Sequence, residues 1–180
     1  MKQLILIFLL LVKVSILASA SILVPLSIEE MVKRSDWIVH GTVIGQKCCT
    51  DAEGHIFTQV ELGIYDVWKG KVIANPIVII HSGGVRNGRM SLPDKQVQYK
   101  QGEEVVAFLV LNSKEEAVTL GMSQGKFSIW QEQNSGDKFV YNPFLGVSQA
   151  TAKSQQLNDT VAPRQMKLSD LKKQVKGGLR

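Results

Sequence analysis

Two long stretches that alternate with period two constrain this chain more than anything else in it. From Trp37 to Ile44, Ile38, His40, Thr42 and Ile44 interleave with Val39, Gly41 and Val43. From His55 to Trp68, Ile56, Thr58, Val60, Leu62, Ile64 and Asp66 fall on one side; Phe57, Gln59, Glu61, Gly63, Tyr65 and Val67 fall on the other. Period two sends successive side chains to opposite faces of a strand. A polar turn, Thr50 to Gly54, joins the two. Neither side of the second stretch is apolar throughout, and Gly63 marks a bend or bulge where the faces change over. A strand coiling around a barrel does this.

Further strands follow. Pro76 to His81 holds the continuous apolar run of a buried strand. Val105 to Leu111, Val118 to Met122 and Lys126 to Gln131 supply three more, and Asn134 to Asp137 turns the chain back into Lys138 to Tyr141 as a hairpin. A short helix precedes them all, with Ser27 as its cap and Glu30 three residues on completing a capping box. The mature domain is thus expected over residues 21–145. Residues 146–165, rich in Ser, Gln, Thr and Ala without apolar periodicity, read as a linker. Residues 166–180 read as a basic amphipathic helix, with Leu168, Leu171 and Val175 on one side and Gly177-Gly178 as its stop.

Residues 1–20 read as a secretory signal peptide. Lys2 precedes a nine-residue apolar run, Leu4 to Val12, and Ala18-Ser19-Ala20 places small residues at −3 and −1 before Ser21. Nine residues rise only about 14 Å as a helix, half of a bilayer core. Lys13 interrupts the run, and an uncleaved anchor is the alternative, which leaves membrane contact only through the leader. The expected location is secreted or periplasmic. The formal charge is +5, of which Lys2 and Lys13 supply +2 and residues 164–180 supply +5, leaving residues 21–163 at −2. A domain at −2 is not a nucleic-acid module driven by phosphate neutralisation.

Only Cys48 and Cys49 exist, and they are adjacent. A bridge between neighbours constrains almost no chain. The two therefore read as strand-end residues, with a vicinal disulfide, a redox pair or a soft-metal site as the alternatives. The 44% hydrophobic content supplies the core that disulfides do not.

No catalytic signature stands out. His40, His55 and His81 show none of the close His spacings of a metal site and read as structural or surface residues, convergence from separate strands being the alternative. The adjacent acids Glu29/Glu30, Glu103/Glu104 and Glu115/Glu116 would face opposite ways in a strand and read as solvated turns or helix starts. No metal, cofactor or catalytic residue is assigned. The best contact candidate is the glycine-rich, doubly basic stretch holding Gly83, Gly84, Arg86, Asn87 and Arg89. There glycine permits close backbone approach and arginine can fork onto a carboxylate or phosphate. The alternative is a flexible strand connection.

Three segments in order, Asp36 to Val43, Tyr65-Asp66-Val67-Trp68-Lys69-Gly70, and Gln101-Gly102-Glu103-Glu104 running into Val105 to Leu109, carry a resemblance. The chain resembles a group of exported bacterial proteins and, more remotely, the netrin-like domains that include tissue inhibitors of metalloproteinases. The resemblance implies a mainly β fold: an OB-like Greek-key barrel of five or more strands. Such barrels usually bind. Netrin-like inhibitors chelate the protease metal with an N-terminal cysteine; here Ser21 stands at the expected mature start, so that chemistry transfers to no residue. The expectation is an exported, non-enzymatic binding module for a protein partner, a secreted protease among the partners considered. The alternative is a carbohydrate- or envelope-binding protein, with Trp37, Trp68 and Trp130 as stacking surfaces.

Overall fold

The computed structural model describes residues 24–93, 96–145 and 165–179. The leader, its cleavage residues Ala18, Ala20 and Ser21, and residues 146–164 of the expected linker lie outside them. Helix α1 (Ile28–Arg34) starts on the expected capping box: Glu30 N–H donates to Ser27 Oγ at 3.1 Å, and Ser27 N–H to Glu30 Oε2 at 2.9 Å. Such a cap contributes about 1 kcal/mol. It turns Ile28, Met31 and Val32 inward. Ahead of it, the buried Gln124 amide clamps the backbone, donating to Val24 O and accepting from Leu26 N–H.

Strands β1 (Trp37–Thr50) and β2 (Ile56–Lys69) pair antiparallel along their length with three register shifts. Ile44, Tyr65 and Trp68 are the extra residues at those shifts. Val60 and Leu62 point into the barrel before Tyr65; after it Val67 packs there, while Trp68 turns to the opposite core. The face change expected near Gly63 is therefore real and lies at the Tyr65 bulge. Gly41 lies against Gly63 across the two strands, and a Cβ on Gly41 would overlap Gly63 O. Glycine is required there by space alone.

The barrel closes through β3 (Ile77–Ser82), β6 (Glu104–Leu111) and β7 (Ala117–Thr119) in the order β1-β2-β3-β7-β6-β1. The chain is thus mainly β, with a closed five-stranded, OB-like barrel. One seam, β3 with β7, is parallel and only two residues long. The expected strand Val118 to Met122 stops at Thr119 because Gly121 and Met122 adopt positive φ (59° and 61°). Between β3 and β6 stands a separate ribbon, β4 (Gly84–Arg86) with β5 (Arg89–Ser91).

Strand β6 belongs to two sheets at once. Val105, Ala107 and Leu109 fill the barrel; Val106 and Phe108 point out into a second core. This explains a run with no polar alternation. At Phe108 the sheet forks: its N–H donates to Gly125 O and its C=O accepts from Leu120 N–H. Strands β8 (Lys126–Gln131), β9 (Lys138–Tyr141) and β10 (Gln165–Lys167) continue from β6 away from the barrel. Gln165, placed in the linker by composition, pairs with Tyr141 instead. Helix α2 (Leu168–Gly177) then buries Leu171 and Val175 beside α1, Phe108 and Phe127. Among the described residues no helix is long and apolar enough to cross a membrane.

Asp36, Lys69 and Gly102 close this frame. Asp36 Oδ2 accepts from Leu111 N–H at 2.8 Å, and Gly102 N–H donates to Val43 O at 2.8 Å. Lys69 Nζ donates to Val32 O and Ser35 O, both at 2.6 Å, holding the C-terminal end of α1 against β2.

Candidate functional site

The glycine-rich stretch forms a two-stranded ribbon, β4 paired antiparallel with β5. Asn87 and Gly88 take positive φ (50° and 74°) between the cross-strand pair Arg86 and Arg89. This is the two-residue turn that an Asn-Gly sequence favours. The base of the ribbon is fixed as firmly. A Cβ on Gly84 would overlap Cys48 Sγ and lie 2.6 Å from Thr58 Oγ1, and one on Gly83 would lie 2.5 Å from Ser91 O. Thr58 Oγ1 donates to Gly83 O at 2.8 Å, and Gly83 N–H donates to Ile56 O at 2.8 Å. The glycines thus serve contact within the chain, letting β4 lie flat on the β1–β2 hairpin.

Arg86 also turns inward, its Nη1 donating to Cys48 O at 2.7 Å. The outward side of the ribbon is apolar. Val85 and Met90 oppose each other and are 60% and 69% exposed, with Leu92 beyond them at 63%. Arg89 borders a cleft of about 600 Å³ that Asp51, His55, Phe57 and Met90 share. Among the described residues, Arg86 is engaged and Arg89 has no partner, and an apolar strip lies beside them.

A second locus was not legible in the sequence. His40 Nε2 lies 2.7 Å from Glu104 Oε1, and Lys138 Nζ reaches both Glu104 oxygens at 2.7 and 2.8 Å. His40 meets Tyr65 edge-on, ring centroids 5.5 Å apart, and Trp68 at 6.1 Å. Beside them Asp66 accepts from Trp68 Nε1 at 2.9 Å and from Lys172 Nζ at 2.7 Å. Lys167 pairs with Asp137 at 2.6 Å, and a cleft of about 370 Å³ runs between these pairs.

Burial opposes ionisation of Glu104, but hydrogen bonds and charge from Lys138 and His40 outweigh it and hold its carboxyl below the usual range. The hydrogen bond from Lys172 is the chief cause holding Asp66 down. Asp137 beside Lys167 holds that ammonium up. On the far side of β6, Glu103 accepts from Lys126 and Ser128, which likewise overcome its burial and keep it below the usual range. Glu103 and Glu104 do face opposite ways, but each is half-buried and ion-paired, not the solvated turn expected of them, whereas Glu29 and Glu30 stand exposed at a helix start as expected. Every cation in the cleft has a carboxylate partner. The arrangement can therefore dock α2 and the β8–β9 hairpin onto the barrel.

The three histidines stand apart: His40 on Glu104, His55 on Asp51 at 3.1 Å, and His81 stacked near Tyr99. Burial pushes the His81 imidazole below its ordinary value, with the Ser82 carbonyl opposing. Among the described residues, the group able to gather ligand atoms around one ion is Asp51, Glu53 and His55, all exposed on the β1–β2 turn, with those atoms within 4.8 Å of one another. Its signal in the sequence is the D-x-E-x-H spacing of Asp51, Glu53 and His55. Cys48 and Cys49 are free thiols just before the last residue of β1, Thr50; Cys48 Sγ contacts Thr58 Oγ1 at 3.3 Å and Cys49 Sγ contacts Gln59 Oε1 at 3.6 Å. Of the tryptophans, Trp68 is 2% exposed and Trp37 packs on the barrel core, which leaves Trp130 at the surface. Comparisons with family models, with curated proteins and with solved structures match nothing, so the barrel and its surfaces are the whole basis for a functional reading.

Proposed function

We propose that the chain is an exported, non-enzymatic binding module that engages a protein partner through the β4–β5 ribbon. The observation that carries this reading is the exposed Val85–Met90 pair, continued by Leu92, on a ribbon whose base is pinned to the β1–β2 hairpin. An apolar strip held rigid costs little ordering entropy on binding, and protein interfaces reward that. Arg89 at its margin supplies a charged rim. A secreted protease is the narrower partner class, suggested only by the netrin-like motifs. The test is reversible cross-linking of the tagged chain in its exported fraction, run beside a Val85→Asp, Met90→Asp double variant. One dominant protein captured by the parent chain and lost with the variant is the expected result; equal capture by both would overturn the ribbon's role.

A second reading, binding of cell-envelope carbohydrate, draws on the outer face of β8 and β9. Trp130 is 41% exposed and stacks on Phe139 with centroids 5.0 Å apart and planes at 19°. Tyr141 continues that face one cross-strand step along, opposite Ser128. OB-like barrels accept oligosaccharides on a sheet face. Quenching of Trp130 fluorescence by cell-wall oligosaccharides, absent in Trp130→Ala, supports it; an unchanged spectrum across the titration removes it.

A further inference from the structure

Among the described residues, β1 from Gly45 to Thr50 is paired on one side only. Its backbone meets β2 throughout, but β6 ends its pairing at Thr42, and the last backbone contacts on that side are those of Val43 with Gly102 and Glu103. Beyond Val43 the described residues offer this edge only side chains. Gln101 Nε2 reaches Ile44 O at 3.4 Å, Gln46 Nε2 reaches Tyr99 O, and Arg86 reaches Cys48 O. Asp51 N–H donates to His55 O within the hairpin. Cys49 and Asp51 therefore turn their backbone groups toward β2, and Gln46, Cys48 and Thr50 turn theirs outward. A row of outward N–H and C=O groups is a template for another strand.

We infer that a second copy of this chain pairs antiparallel with the β1 edge, about a two-fold axis through Cys49. Three centres are compatible with the outward groups, and the side chains select among them. Centring on Lys47 sets two ammonium groups directly opposite, which is destabilising. Centring on Cys48 opposes two thiols that each lie under β4 against Thr58. Centring on Cys49 sets Lys47 opposite Asp51 of the second copy, twice by symmetry, an opposite-charge pair on each side of the axis. It also brings the two Cys49 residues together at a position without hydrogen bonds, where facing Cα atoms lie about 4.5 Å apart. That is within disulfide range. In this arrangement the Arg86 guanidinium gives up Cys48 O to the incoming strand, so Arg86 guards the edge.

The test is sedimentation velocity of the full chain over a concentration series, with thiol cross-linking by oxidised glutathione. On cross-linking, two Cys49 thiols give up two electrons and two protons, the sulfurs join, and one oxidised glutathione leaves as two reduced molecules. The expected result is a reversible dimer, weakened by Lys47→Glu, restored by Lys47→Glu with Asp51→Lys, and tightened by Arg86→Ala. Cross-linking should persist in Cys48→Ser and vanish in Cys49→Ser. Restoration by the charge swap separates pairing from misfolding, since a folding defect in either single variant would not be repaired by the other. A monomer at every concentration into the millimolar range overturns the proposal. So does a dimer indifferent to Lys47→Glu, or a cross-link that passes through Cys48.

Discussion

Lys172 Nζ lies 2.7 Å from Asp66 Oδ2, joining α2 to β2 across 106 positions of sequence. The same carboxylate accepts from Trp68 Nε1, so one oxygen couples the C-terminal helix to a buried indole. Asp66 is held below its ordinary 3.8 chiefly by that lysine. A depressed carboxyl binds fewer protons folded than unfolded, so its stabilisation is present above the unfolded value and is lost as pH falls through the folded one. Both side chains are partly exposed, which limits the pair to about 0.2–1 kcal/mol. Asp66→Asn should lower stability by that amount and remove a small acid-range component from the Trp68 fluorescence titration.

Glu103 and Lys126 form the more enclosed pair. Glu103→Gln leaves the Lys126 ammonium, which also donates to Gln98 O, without its carboxylate. The loss should be about 1–3 kcal/mol, the cost of stranding a partly buried hydrogen-bonded charge. Urea denaturation should show a lower midpoint with an unchanged slope, and the difference from the parent should shrink as pH falls below the ordinary glutamate value of 4.5.

Much of the frame was legible because it rests on local patterns. The capping box at Ser27, the alternation through β1 and β2, and the turn into Lys138 each sit within a few residues. The pairs that join distant elements were not. Glu104 meets His40 64 positions away, and nothing in an adjacent pair of glutamates says which lysines they will find. The parallel β3–β7 seam has no periodic signal, and β7 is too short for one. The ribbon is the instructive case: Asn87-Gly88 is a strong hairpin signal, obscured by Gly83-Gly84 beside it, which suggested looseness where contact with Cys48 and Thr58 demanded glycine.

Those two kinds of glycine should separate in mutants. Gly88→Ala meets open space and carries only the strain of positive φ, about 1 kcal/mol. Gly84→Ala forces β4 off Cys48 and Thr58. The Cys48 thiol should then react with an aromatic disulfide reagent several-fold faster, while in Gly88→Ala its rate should match the parent.

Leu171 is fully buried in the core between the helices and β6. Leu171→Ala should cost about 2–5 kcal/mol, as leucine truncations in close-packed cores do. Limited proteolysis should then cut within residues 165–179 first, ahead of any site in the barrel.

The fork at Phe108 bears on how the molecule comes apart. Strand β6 lends one face to the barrel and the other to the helical core, so neither half keeps its interior once the other melts. The described residues should accordingly denature as a single cooperative unit, with calorimetric and van't Hoff enthalpies in agreement, although a barrel carrying appended helices would suggest two transitions.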